Sequence, residues 1–162
     1  MDLVRNYLSG EKTFKLANNI DLSPLQYGQT QNTDGSWKPI GDSTNKFGGH
    51  FDGNGYSVSG IYINSSSFGS QGLFGFTDSG SIIENVGVTN DSISSSGENN
   101  IGGVSGYSGG SVTDCYNAGS VNCSNQYCWV GGVVGNSVGS VTDCYNTGTV
   151  TSTDLVGGIV GL

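Results

Sequence analysis

The feature that most constrains this chain is a unit that returns. The run from Ile101 to Val121 (IGGVSGYSGGSVTDCYNAGSV) reappears from Val130 to Val150 as VGGVVGNSVGSVTDCYNTGTV. It begins again from Val156 to Leu162 as VGGIVGL. The two SVTDCYN segments start at Ser111 and Ser140, 29 residues apart. An older copy, GLFGFTDSGSIIENVGVTN, lies from Gly72 to Asn90; Gly72 precedes Gly103 by 31 residues, and Gly132 precedes Gly158 by 26. A period that tolerates such insertions belongs to a stacked array, in which each unit buries its apolar face against its neighbours.

The pattern inside the unit says how it folds. A first strand around Gly-[Leu/Ile/Val]-x-Gly is followed by a Gly/Ser turn, a second strand, an Asn/Gly corner and a short third strand ending in Val. Such a unit makes one coil of a parallel β-helix, with equivalent residues of successive coils about 4.8 Å apart. The crossover preference of parallel strands makes it right-handed. Val and Ile stack inward, each contributing roughly 1.5–3 kcal/mol on full burial. Corner glycines are expected to supply backbone angles that other residues resist. The predicted fold class is all-β, a right-handed parallel β-helix (β-solenoid) of about four coils plus an incomplete one.

Residues 1–71 read as an N-terminal cap and first coils, and 72–162 as repeats divided 72–100, 101–129, 130–155 and a partial 156–162. Leu3, Val4, Tyr7 and Leu8 fall on one stripe of a short capping helix over Asp2 to Leu8, ended by Ser9-Gly10. Thr13 to Leu22 follows as strand, turn and strand, with Phe14, Leu16, Ile20 and Leu22 on one buried face. Ser23 to Asn45 is a loop excursion from which Trp37 and Ile40 return to the core. Asp52-Gly53-Asn54-Gly55 is a tight-turn signal, and Tyr56, Val58, Ile61 and Ile63 continue beyond it with a bend at Ser59-Gly60. The unfinished last unit is expected to continue in a longer protein, of which this chain would be the front part, with its signal peptide removed. An open C-terminal edge of this kind would also permit self-association.

Composition narrows the partners. All five Lys and Arg residues lie before Phe47, so the region from Phe47 onward carries the net charge of −8. Nucleic acid is a poor partner for such a surface, as is anionic lipid. No apolar run approaches the roughly 20 residues of a membrane span. The 29 glycines do not imply disorder, because apolar residues keep fixed offsets and only two prolines occur.

The motif recurs as GLFG (72–75), GVSG (103–106), GVVG (132–135) and GIVG (158–161), with CYN[AT]G[ST]V after two of them. With TFKLANNIDLS and FGGHFDGNGYSVSGIYI ahead of it, the chain resembles the GLUG-motif repeats of large bacterial surface proteins, over nearly its whole length. Such repeats occur in adhesin-like proteins and in zinc metalloproteases that cleave immunoglobulin A. The resemblance implies a β-helical, surface-exposed, non-catalytic region at the bacterial cell surface or outside the cell, and no catalytic residue is carried over. In the unit at 72–90, Asn85 stands where the pattern has Cys.

The chemistry-bearing residues agree with a non-catalytic reading. His50 is the single histidine, and no His-Glu-x-x-His occurs. There is no phosphate-loop signature, and Glu11, Glu84 and Glu98 form no convincing acid/base pair for sugar cleavage. No cofactor is expected. The function predicted is a stalk or adhesin module binding a host protein or glycan. The alternatives are an accessory domain of a metalloprotease and a carbohydrate-active β-helix enzyme.

Candidate binding residues are aromatic: Tyr127, Trp129, Tyr116 and Tyr145, which otherwise would pack along the rims of the coils. The links Asp91 to Asn100 and Asn122 to Trp129 vary in length, and such insertions map to loops on one edge. Cys115 and Cys144 are equivalent in successive coils; in-register stacking keeps their Cα–Cβ vectors parallel and predicts two buried thiols. Cys123 and Cys128 share a loop and are the disulfide candidates in an oxidising location. Asp114 and Asp143 should form an outward acidic ladder, with Glu84 one coil earlier, that would weakly attract divalent cations.

Overall fold

The computed structural model describes residues 1–10, 12–23, 36–66, 69–97 and 99–162. Most of the expected Ser23–Asn45 excursion, together with Glu11 and Glu98, lies outside the described residues. Among the described residues twenty short strands pair in parallel, forming ladders that run from coil to coil. One five-stranded ladder stacks Thr13–Lys15, His50–Asp52, Ile82–Glu84, Ser111–Thr113 and Val141–Thr142. A second stacks Ile20–Asp21, Ser57–Ser59, Gly87–Thr89, Tyr116–Asn117 and Tyr145–Asn146. Tyr62–Ser65, Ser92–Ser95, Ser120–Cys123 and Thr149–Ser152 make a four-stranded ladder. Two three-stranded ladders complete the wall: Asn100–Gly102 with Trp129–Gly131 and Leu155–Gly157, and Phe74–Phe76 with Ser105–Ser108 and Val134–Ser137. The chain is a parallel β-solenoid of about four turns.

The core is a set of inward columns. Ile63, Ile93, Val121 and Val150 stack in register, as do Phe51, Ile83, Val112 and Val141. The first coils are filled by rings: Phe47 lies 5.0 Å from Phe74, and Phe51 meets Phe74 edge-on at 5.3 Å. In the second ladder the column changes chemistry, passing from Val58 and Val88 to Asn117 and Asn146. Asn117 is fully buried and donates from Nδ2 to Asn146 Oδ1 at 3.1 Å, so an amide ladder replaces an aliphatic one.

The repeat glycines serve close approach, which corrects the expectation that they set corner angles. None of the motif glycines has a positive φ; the left-handed corners of the repeats are Asn85, Asn90, Asp114 and Asp143, with φ between 50 and 55°, whereas at the earlier turn and bend Gly55 and Gly60 do take positive φ, beside Asn54. Asn and Asp are the non-glycine residues that tolerate this region, because their short side chains hydrogen-bond locally. A Cβ at Gly102 would strike the carbonyls of Ser105 and Val133, and one at Gly103 would strike the Asn117 amide. The Asn146 amide likewise fills the space a Cβ at Gly132 would need. In the two coils that carry CYN, the second glycine of the pair and the Asn of CYN are thus two halves of one packing arrangement.

Three further features differ from expectation. The N-terminal helix spans only Asp2–Asn6. With under two turns it buries Val4 and part of Leu8, and leaves Leu3 and Tyr7 exposed. Arg5 fixes it by lying 4.4 Å over the buried Trp37 ring and donating to the Pro39 and Lys38 carbonyls. The third strands run past their Val residues to Ser95, Cys123 and Ser152, so much of the expected linkers is ladder. Backbone pairing carries these polar residues although no apolar alternation announces them. Finally, Ile83 pairs with Val112 and Tyr116 with Gly87, which sets Asn85 opposite Asp114 and Val86 opposite Cys115. Asn85 is therefore the left-handed corner, and Val86 takes the place of Cys.

Candidate functional site

The disulfide between Cys123 and Cys128, whose Cα atoms are 6.4 Å apart, closes a five-residue step on one edge of the solenoid. Both cysteines are buried, and Cys128 Sγ reaches the Gly97 carbonyl of the coil before. Asn125 Oδ1 accepts the Tyr127 backbone N–H at 2.9 Å, and Asn125 Nδ2 reaches back to the Ser96 carbonyl. These ties hold Tyr127 out toward solvent. Trp129 follows at the start of its strand, in register with Asn100 and Leu155, and its N–H is held by the Asn99 carbonyl.

Together these residues line an open groove of about 490 Å³. Its aromatic walls are Tyr127, Trp129 and Phe76, the last from the previous coil but one, and its polar groups include Asn99, Asn100 and Asp154. Among the described residues no Lys or Arg lines it. Of the four predicted aromatics the structure brings Tyr127 and Trp129 together here, and sets the other two apart. Tyr116 and Tyr145 stack on each other with centroids 5.0 Å apart and planes 5° from parallel. The Tyr116 ring covers Gly87, where a Cβ would collide with it, so this pair packs along its own ladder. Asn99 and Asn100 close the Asp91–Asn100 link that the sequence marked as an edge loop, whereas Phe76 was not singled out, because it comes from a separate coil. The available signal was register: a 29-residue offset sets Asn100 beside Trp129.

The other predicted sites resolve differently. Cys115 is buried, but Cys144 is half-buried, which corrects the expectation of two buried thiols; the coil carrying Cys144 has no described strand stacked on its far side. A hydrogen bond between the two thiols brings Cys144 down to about 7, against opposition from burial and from the Asp114 and Asp143 carboxylates. The same bond and burial push Cys115 up. Asp114 and Asp143 are exposed left-handed corners in equivalent positions. Glu84 is not part of their column, because it pairs with Thr113 and bonds His50 Nε2 at 2.8 Å. Among the described residues no group of three or more His, Cys, Asp or Glu is placed to hold a metal. Lys15 and Asp52 pair at 2.7 Å, and this bond holds the Asp52 carboxyl below its ordinary range.

One buried acid was not anticipated. Asp91 is only 4% exposed, its carboxylate finds no partner among the other described residues, and burial, opposed only by its own backbone N–H, raises its pKa to about 6. It occupies the space that a side chain at Gly119 would need.

Comparison with known proteins agrees with this architecture. The GLUG motif family model matches residues 129–151, the segment that carries Trp129, the glycine pair and CYN. The chain is 39% identical over 98 residues to a protein of Evansella cellulosilytica provisionally named a Gly-rich membrane protein, covering 60% of this chain and 11% of that one. It is 32% identical over 117 residues to Halomucin of Haloquadratum walsbyi, covering 70% of this chain and 1% of the relative. The chain thus spans a small part of the curated relatives it matches. A crystal structure from Bacteroides ovatus, provisionally named an immunoglobulin A1 protease, superposes with a TM-score of 0.66. It covers 98% of this chain and 57% of the other at 20% identity, a likeness of fold alone. The chain is a GLUG-bearing parallel β-solenoid similar to segments of much longer proteins. Among its described residues no helix is long and apolar enough to cross a membrane.

Proposed function

We propose that this chain is a non-catalytic module of a bacterial surface protein, a rigid spacer that presents a ligand groove on its edge. The observation that carries the reading is the groove itself: Tyr127 is displayed on a disulfide-closed, hydrogen-bonded loop, and Trp129 at the start of the strand that follows it, beside Phe76. A preformed surface loses little ordering entropy on binding, which suits recognition. The described residues supply no converging nucleophile, base and metal group; the His50–Glu84 pair joins neighbouring coils, and each free thiol donates to the backbone carbonyl two residues before it. The names of the curated relatives, one a membrane protein and one a mucin-like name, support placement outside the cell.

A second reading, an accessory domain beside a protease, draws on the Bacteroides ovatus structure, which extends well beyond the matched region. The test is a host-protein and glycan array probed with the full chain and with the Tyr127→Ala/Trp129→Ala double variant. Binding by the native chain, lost in the variant with unchanged circular dichroism, is the expected result. Binding that survives the double change overturns the reading, as does cleavage of immunoglobulin A or a polysaccharide by the chain alone.

A further inference from the structure

We infer that the groove between Tyr127, Trp129 and Phe76 is a subsite for an uncharged oligosaccharide, an inference that rests on the binding-module reading and names its ligand class. Three features of the groove select this chemistry. The first is its apolar surface. Three aromatic side chains border one open depression, and ring faces of Trp and Tyr match the C–H faces of a pyranose while their polar edges stay wet. An aliphatic ligand would gain nothing from the remaining wall, which is amide, hydroxyl and carboxylate.

The second is the character of that polar wall. Asn99, Asn100, Ser70 and Asp154 combine amide, hydroxyl and carboxylate groups, the set that recognises neighbouring hydroxyls. Asn100 is oriented by donating from Nδ2 to Ser70 Oγ at 3.0 Å, and Asn99 by donating from Nδ2 to Ser95 Oγ. The two amides are therefore set before any ligand arrives, and the exposed Asp154 carboxylate stands beside them.

The third is charge. Among the described residues no cation lines the groove, Asp154 does, and the region from Phe47 onward carries all of the chain's net charge of −8. Sialylated, sulfated and uronic acid glycans meet repulsion there with no Lys or Arg to offset it. A peptide strand is also disfavoured. The strand that carries Trp129, Trp129–Gly131, is paired on both sides and offers no edge for augmentation at the groove; the open edge of this ladder is the far side of Leu155–Gly157.

The experiment uses the chain's own reporter. Of its two tryptophans, Trp37 is buried and Trp129 is 37% exposed, so acrylamide quenching reads Trp129. The full chain is screened on a printed array of neutral oligosaccharides with their sialylated and sulfated counterparts, and on host glycoproteins before and after enzymatic deglycosylation. Retained neutral sugars are then titrated in solution. The expected result is retention of neutral glycans and protection of Trp129 from acrylamide, with Trp129→Phe removing the signal. Asn100→Ala should weaken binding about tenfold, as loss of one sugar hydrogen bond does. Asp154→Asn should admit the anionic counterparts. Retention of no neutral glycan overturns the inference, as does equal binding of anionic ones. Capture of deglycosylated host protein through Tyr127 and Trp129 overturns the inference while leaving the binding-module reading standing; no ligand of any kind overturns both.

Discussion

Asp91 stands apart from the other acids of the chain because nothing in the fold compensates its charge. Its pKa rises from 3.8 to about 6 by burial, so the folded state binds this proton more tightly than the unfolded state. The sign follows from linkage: Asp91 lowers stability as pH rises from about 4 through 6, by an amount on the order of 3 kcal/mol once ionised. Asp52 acts oppositely and at lower pH, since the Lys15 bond depresses its pKa and its contribution is lost as pH falls below about 4. Asp91→Asn should therefore raise the urea midpoint at pH 7 and leave it nearly unchanged at pH 4. Equal midpoint shifts at both values would contradict the burial argument. The thiols give a second expectation at this scale. Cys144, held near 7 and half-buried, should react with a thiol reagent in the folded state, and Cys115 only on unfolding. Denatured, non-reduced protein should titrate two thiols, because Cys123 and Cys128 are joined; zero or four would refute the pairing.

Within a coil, the motif glycines let two strands meet backbone to backbone. A Cβ at Gly131 would run into the Val134 and Ile159 carbonyls and the Gly161 nitrogen, whereas one at Gly158 meets nothing within 4 Å. Gly131→Ala should thus cost about 1–3 kcal/mol or more, as overpacking against main chain does. Gly158→Ala should stay within about 1 kcal/mol of native stability. Chemical denaturation of both variants decides it, and similar midpoints would show that the approach can relax. This element also marks what the sequence could disclose. Spacing of GG[VI]xG and CYN exposes a coil and its inward Val columns, because apolar side chains must recur wherever coils stack. It does not expose the function of the glycines, since an angle and a close approach leave the same letter. Nor does it reveal the shift at Asn85 and Val86. There, matching Ser81 to Ser111 looks best by letters, yet the buried Ile83 and Val112 decide the register.

For the molecule as a whole, the parallel ladders were legible because the repeat is translational, and the disulfide because two cysteines share one short loop. The groove was only half legible: Tyr127 and Trp129 are neighbours in sequence, but Phe76 reaches them across the stack, over a distance no local pattern records. The same ladders have a mechanical consequence. Hydrogen bonds between coils point along the solenoid axis, so a pull on the two termini loads them in tension, one coil after another, and does not shear them all together. A repeat coil of 29 residues freed in this way lengthens the tether by about 100 Å, at roughly 3.5 Å per residue. Optical-tweezers traces should show a staircase with steps of that size at low force, and a single abrupt release of the whole chain would mean that the coils yield together. A molecule with such a staircase would act at a surface as an extensible tether that lengthens under flow while its undamaged coils keep their grip.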